Sequence, residues 1–284
     1  MNIWIAGARP RTLPAAIAPV LVATALAGSD SKVIPALLAL TVSLALQIGV
    51  NYANDYSDGI RGTDDNRVGP LRITASGLTS ARSVRNAAFI SFGVAAVAGL
   101  LLAVMTSWWL IAVGAAAIAA AWGYTGGKNP YGYLGLGEIF VFIFFGLVAT
   151  MGSYYVQVEE LTLNSFLVAV PMGSLSCSIL VINNIRDRAL DALAGKKTLA
   201  VRVGDKVARL GFLFLTVLAF ITPLALGSRW IFLTFLAAPF AAIVVRGVLG
   251  GASGRDLIPL LGKTGQLQLQ YSLLLAIALE LSHG

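Results

Sequence analysis

One cysteine and one histidine are all that 284 residues offer. A lone Cys177 can form neither an intrachain disulfide nor a thiolate metal site. His283, beside the C-terminus, reads as incidental. Charge is scarce as well: Asp, Glu, Lys and Arg make up 12% of the chain, and only 13 residues are acidic. With 57% apolar residues and a mean hydropathy of +0.82, the composition is that of an integral membrane protein and not of a soluble globule. The net charge of +7 does not point to nucleic acid. The basic residues are spread among membrane loops, and no soluble domain remains to hold a binding surface.

What the sequence does have is long runs without charge, at 12–29, 33–54, 86–127, 139–158, 161–185, 210–228, 230–245 and 264–279. A helix needs about 20 apolar residues to cross ~30 Å of hydrocarbon. The 86–127 run is long enough for two crossings, and Thr106-Ser107 divides it. The expectation is an all-α integral membrane protein with nine transmembrane helices, forming a single domain over 1–284. Arg9, Arg11 and the apolar stretch behind them imitate a secretory signal peptide. Pro14, Pro19 and eight further spans favour a retained first helix.

Alternating nine spans from a cytoplasmic N-terminus puts 18 of the 20 Lys and Arg residues on the inner side, leaving only Lys32 and Arg229 outside. The two long inner loops, at about 58–85 and 186–209, also hold six of the 13 acids. "NDYSDGIRGTDD", residues 54–65, brings Asp55, Asp58, Asp64 and Asp65 to the end of an apolar run. "NNIRD" at 183–187 resembles "NDYSD" at 54–58, an offset of 129 residues that hints at an internal repeat. If helix continues there, Asn54 and Asp58 share one face, as do Asn184, Asp187 and Asp191.

Carboxylates at a helix C-terminus oppose the backbone dipole. At membrane depth each costs about 2.5 to 3.5 kcal/mol on insertion scales, so a cluster asks for a cation. Hard carboxylate and amide oxygens suit Mg²⁺, which shares its remaining positions with waters and substrate phosphates. Two acidic clusters with nearby Lys and Arg therefore read as a Mg²⁺-diphosphate site. The bland alternative is that these acids are solvated or paired with arginines.

The motifs at 54–65 and 183–191 resemble the two aspartate-rich motifs of the UbiA superfamily of intramembrane prenyltransferases. "ARPRTLPAAIAPV" at 8–20, "RVGPLRITASGL" at 67–78 and "YTGGKNPYGYLGLGE" at 124–138 look like its menaquinone-forming branch. The resemblance implies nine helices with the active site at the cytoplasmic face, in a bacterial inner membrane. It implies Mg²⁺ held by Asn54, Asp55, Asp58, Asp64, Asp65, Asn184, Asp187 and Asp191. Many members place Asp where this chain has Gly62; Asp64 and Asp65 stand in for it.

The resemblance further implies that Tyr124 and Lys128, spaced Tyr-x-x-x-Lys, act at the diphosphate of a polyprenyl donor. Arg72, Lys196 and Lys197 join Lys128 as candidate diphosphate partners, and Arg9 and Arg11 are candidates for the acceptor carboxylate. The implied reaction joins polyprenyl diphosphate to 1,4-dihydroxy-2-naphthoate with loss of CO₂ and diphosphate. Rival readings are prenylation of 4-hydroxybenzoate or homogentisate, and an ion-coupled transporter. The aromatics of "IFVFIFFG" at 139–146 admit two readings, the lining of a channel for the prenyl tail and, preferred, a lipid-facing surface; Trp108 and Trp109 read as interfacial anchors. Besides membrane lipids no macromolecular partner is implied, and no feature specifies an oligomeric state.

Overall fold

The computed structural model describes residues 2–63, 69 and 72–283. Among the described residues every regular element is helical. The helices are α1 (Ile3–Ala8), α2 (Pro14–Ala27), α3 (Val33–Ile60), α4 (Ala81–Met105), α5 (Leu110–Gly123), α6 (Gly137–Val141), α7 (Ala149–Val158), α8 (Leu163–Leu193), α9 (Leu199–Ile221), α10 (Ala238–Leu249) and α11 (Leu257–His283). A π-helical segment, Phe142–Val148, joins α6 to α7 without a break.

Six of the described helical stretches are long and apolar enough to cross a membrane, and the pair containing α1 and α2, bent by 51°, makes a seventh. Helix α5, a shorter apolar helix, is separated from α4 at Thr106–Trp109, where the sequence divides its longest charge-free run. Helix α11 is long enough, but Gln266, Gln268 and Gln270 dilute its apolar character. Gln268 spends its amide on the Ser176 hydroxyl, 2.9 Å away on α8, so the polarity faces a neighbouring helix.

Local chemistry accounts for the helix ends that matter here. A reciprocal capping box between Thr162 and Ser165 starts α8. Helix α3 ends at Ile60, inside the first acidic motif, and α8 ends at Leu193, just after the second; each is followed by a glycine with positive φ, Gly62 at 69° and Gly195 at 73°. Glycine adopts that conformation without strain, so the chain turns back toward the bundle. Both glycines stand four residues after a motif aspartate, Asp58 or Asp191.

Helix α8 is the axis of the bundle. Of its most apolar window 83% is buried, against 22–39% for the other single-helix spans. It packs against α2 and α11 around Val168, Met172 and Leu175. The π segment also approaches it closely: a Cβ at Gly146 would lie 2.5 Å from the Gly173 Cα. A second layer, α3 with α4 and α5, closes on Tyr52, Val84, Ala88 and Phe92. Large apolar side chains on the outer face of α4, among them Ile90, Val97 and Val104, are left exposed, as a lipid-facing surface requires.

Candidate active site

Between these layers lies a cavity of about 600 Å³, lined by α3, α4, α5, the α6–α7 span and α8. One end is polar and the remainder apolar. Helix α3 continues as far as Ile60 and so carries the first part of the acidic motif, which places Asn54 and Asp58 on the cavity wall. Asp58 is buried and accepts from the Tyr133 hydroxyl at 2.5 Å. Lys196 Nζ lies 3.1 Å from Asp58 Oδ1, and an Arg72 guanidinium nitrogen lies 3.8 Å from Oδ2. Asn54 Oδ1 accepts from the Thr125 hydroxyl at 2.8 Å.

Helix α8 likewise runs through the second motif, and Asn184, Asp187 and Asp191 line the same cavity. Asp187 is gripped by Arg186 through two bonds of 2.7 Å. The Asn184 amide nitrogen donates to Glu138 Oε1 at 2.8 Å, which turns the Asn184 oxygen away from that acid. The two motifs are therefore brought together from different helices. The main chain completes the join: Lys197 N donates to the Tyr133 carbonyl at 2.9 Å.

Other candidates fall elsewhere. Asp55 is fully buried, but its carboxylate accepts the backbone amides of Ile73 at 3.0 Å and Thr74 at 2.8 Å. It ties the returning loop to α3 and does not line the cavity. Tyr124 lines the cavity, whereas Lys128 is exposed outside its lining. Lys197 and Arg11 are exposed as well, while Lys196 and Arg9 face in. Asp64 and Asp65 lie outside the described residues.

Electrostatics follow from this packing. Burial opposes the charged form of Lys196, but Asp58, Tyr133 and Asp191 together favour it and hold its pKa above the ordinary lysine value. Burial pushes the Tyr124 hydroxyl well above its usual range, and Glu138, Tyr131, Asp58 and Asp191 push the same way. Burial and the Asp58 charge also raise Tyr133. Both phenols thus stay protonated near neutral pH and serve as hydrogen-bond donors.

Residues 16–251 match the UbiA prenyltransferase family. The chain belongs to that family. It is 51% identical over 282 residues to 1,4-dihydroxy-2-naphthoate octaprenyltransferase of Mycobacterium tuberculosis, covering 97% of this chain and 96% of the relative. The Escherichia coli enzyme of the same name is 37% identical over 293 residues, covering 98% and 95%. Among solved structures, a UbiA homolog from Archaeoglobus fulgidus bound to GPP and Mg²⁺ is similar with a TM-score of 0.66 at 13% identity, covering 98% of this chain and 99% of that one. The apo structure of a UbiA homolog from Aeropyrum pernix K1 gives 0.67 at 16%, covering 96% and 97%. At those identities the likeness is one of fold.

For a member of the UbiA family, the donor set at the cavity mouth suits Mg²⁺. All its candidates are hard oxygens. Among the described residues no group of three Asp, Glu, His or Cys side chains could enclose a metal by itself. An open set is what Mg²⁺ takes when phosphates supply the remaining ligands.

Several residues that hydrogen-bond to the motif side chains carry no spacing signal in the sequence. Tyr133 and Glu138 lie within the motif at 124–138 but become partners of Asp58 and Asn184 only through the fold. Thr125 is a further example. One sequence expectation is corrected: Phe140, Phe144 and Phe145 line the cavity. The π segment, which changes the residue count per turn, carries Phe144 and Phe145 on its inner side.

Proposed function

We propose that this protein transfers a polyprenyl group from polyprenyl diphosphate to 1,4-dihydroxy-2-naphthoate, releasing diphosphate and CO₂ and forming a demethylmenaquinone. The observation that carries the proposal is a single cavity whose mouth gathers both acidic motifs with Lys196 and Arg72, and whose body is apolar. Full-length relatives bearing that activity in their name support it.

Asn54, Asp58, Asn184, Asp187 and Asp191 would hold Mg²⁺, which neutralises charge on the departing diphosphate. Lys196 and Arg72, already beside Asp58, face the same oxygens. Tyr124 donates from the cavity wall, and Lys128 adds positive charge from the rim. The C–O bond to diphosphate breaks with its electron pair going to the leaving group. The apolar wall around Phe140 and Phe144 keeps water from the allylic cation. The ring carbon bearing the carboxylate attacks, and loss of CO₂ returns the electron pair to the ring. Arg9 is placed to hold that carboxylate until it leaves.

The same proposal includes topology. The bent α1–α2 pair, α3, α4, α5, the α6–α7 span, α8, α9, α10 and α11 make nine crossings of a bacterial inner membrane. The motif end is cytoplasmic, where most Lys and Arg collect. The exposed Lys32–Glu159 pair, 3.1 Å apart, marks the opposite end.

The deciding experiment places purified protein in lipid nanodiscs with Mg²⁺ and a polyprenyl diphosphate, offers 1,4-dihydroxy-2-naphthoate and 4-hydroxybenzoate in parallel, and identifies products by mass. A prenylated naphthoquinol lacking the carboxylate, formed only with Mg²⁺, is the expected result. Product from 4-hydroxybenzoate alone would overturn the acceptor.

A further inference from the structure

Beside the metal-facing residues, the cavity carries a second polar group whose hydrogen bonds point in a defined direction. Its members are Arg9, Thr12, Gln47 and Asn51. Thr12 organises them. Its hydroxyl donates to the Arg9 carbonyl at 3.0 Å. A hydroxyl has one proton, so Thr12 Oγ1 can only accept from anything else. Two amides meet it: Gln47 Nε2 at 2.9 Å and Asn51 Nδ2 at 3.1 Å. Asn51 Nδ2 also donates to the Ala8 carbonyl at 2.9 Å. The amide orientations are therefore dictated by the proton count: both nitrogens face Thr12 and both oxygens turn from it.

Gln47 is 5% exposed, and what it touches besides protein is the cavity. Among the described residues no donor reaches its amide oxygen. Gln47 lines the cavity, where a ligand hydroxyl can supply a proton to that oxygen. Gln157 and Gln268 are buried glutamines too, but neither lines the cavity. Gln47 and Asn51 stand four apart on α3, one above the other on one helix face. An Arg9 guanidinium nitrogen lies 3.3 Å from the Asn51 carbonyl. The sequence of groups along the wall is thus a cation, an amide oxygen, then a second amide oxygen one turn farther along.

We infer that Gln47, through its amide oxygen, accepts a hydrogen bond from the acceptor's ring hydroxyl farther from its carboxylate, and so selects a dihydroxy aromatic acid. The inference rests on the aromatic-acceptor proposal above. With the carboxylate at Arg9, the adjacent hydroxyl meets Asn51 and the distal one meets Gln47. Two acceptor oxygens suit a reduced ring that donates two protons; an oxidised quinone ring offers none. Thr12 is a positioning residue, because it acts through the two amides.

The test compares two ligands in nanodiscs. 1,4-Dihydroxy-2-naphthoate is the substrate, and 1-hydroxy-2-naphthoate, which lacks the distal hydroxyl, is scored as a competitive inhibitor. Gln47→Leu is expected to raise KM for the substrate about tenfold, the worth of one well-made hydrogen bond. The inhibition constant of the monohydroxy compound and KM for polyprenyl diphosphate should both stay within about twofold, because neither uses that bond. Gln47→Met, which keeps the unbranched shape, should give the same split if the leucine variant fails to insert. Equal weakening of both aromatic ligands, or no change in either, would overturn the assignment. If the unaltered protein makes no product from the naphthoate, the acceptor proposal itself fails, a result separate from loss of discrimination by Gln47.

Discussion

Lys196 Nζ lies 3.1 Å from Asp58 Oδ1, joining the loop after α8 to the last turn of α3. A carboxylate that opposes the α3 dipole is thereby matched by a cation from the other half of the site. Tyr133 and Arg72 approach the same carboxylate. Asp58 is thus where the first acidic motif, the 124–138 segment and the loop after the second motif meet.

Asp58→Asn, Asp187→Asn and Asp191→Asn should each insert and each lose turnover by about 100-fold or more, the usual scale for removing one charge-stabilising group. Glu159→Gln, at the exposed far end, should leave turnover unchanged. Turnover measured across a Mg²⁺ titration checks both. Normal Mg²⁺-dependent activity in Asp58→Asn would defeat the metal assignment.

Asp55 should behave differently from its neighbour three residues on. Its carboxylate takes two backbone amides, and hydrogen bonds to a charged group contribute about 1.5 to 3 kcal/mol each. Asp55→Ala is expected to lower thermal stability, with the half-saturating Mg²⁺ concentration of any folded fraction unchanged. A direct ligand role would instead shift that concentration while stability stayed near normal.

The Lys196–Asp58 pair carries a pH signature. The folded pKa of Lys196 is raised, so its stabilisation is complete below the unfolded lysine value of about 10.4 and is lost only as pH rises through the folded value. Melting curves of the unaltered protein and Lys196→Met should differ by a constant amount from pH 7 to about pH 10 and converge above it. Convergence beginning near pH 8 would contradict the assignment.

Gly152 lines the apolar part of the cavity, and a Cβ placed there meets nothing within 4 Å. Gly152→Leu should therefore insert normally while narrowing the chamber. Turnover with a long polyprenyl diphosphate should fall at least about tenfold relative to geranyl diphosphate, comparable to the loss when a tight apolar pocket is obstructed. Equal turnover with both donors would place the prenyl chain elsewhere.

By itself the sequence determined the kind of molecule. Charge-free runs and scarce polar residues demand apolar helices, because backbone groups in hydrocarbon must pair within the segment. Periodicity also determined which motif residues share a face: Asn54 with Asp58, and Asn184 with Asp187 and Asp191, line one cavity because α3 extends to Ile60 and α8 to Leu193. Spacing could not distinguish Asp55, held by backbone amides, from Asp58, nor inward Lys196 from exposed Lys197. Those choices depend on how a loop returns across another helix, and neighbouring residues on one chain point in different directions. Sequence leaves the direction of the Phe side chains near the π segment open for a related reason: lipid and a prenyl chain are equally apolar, and only tertiary packing says which one a side chain faces.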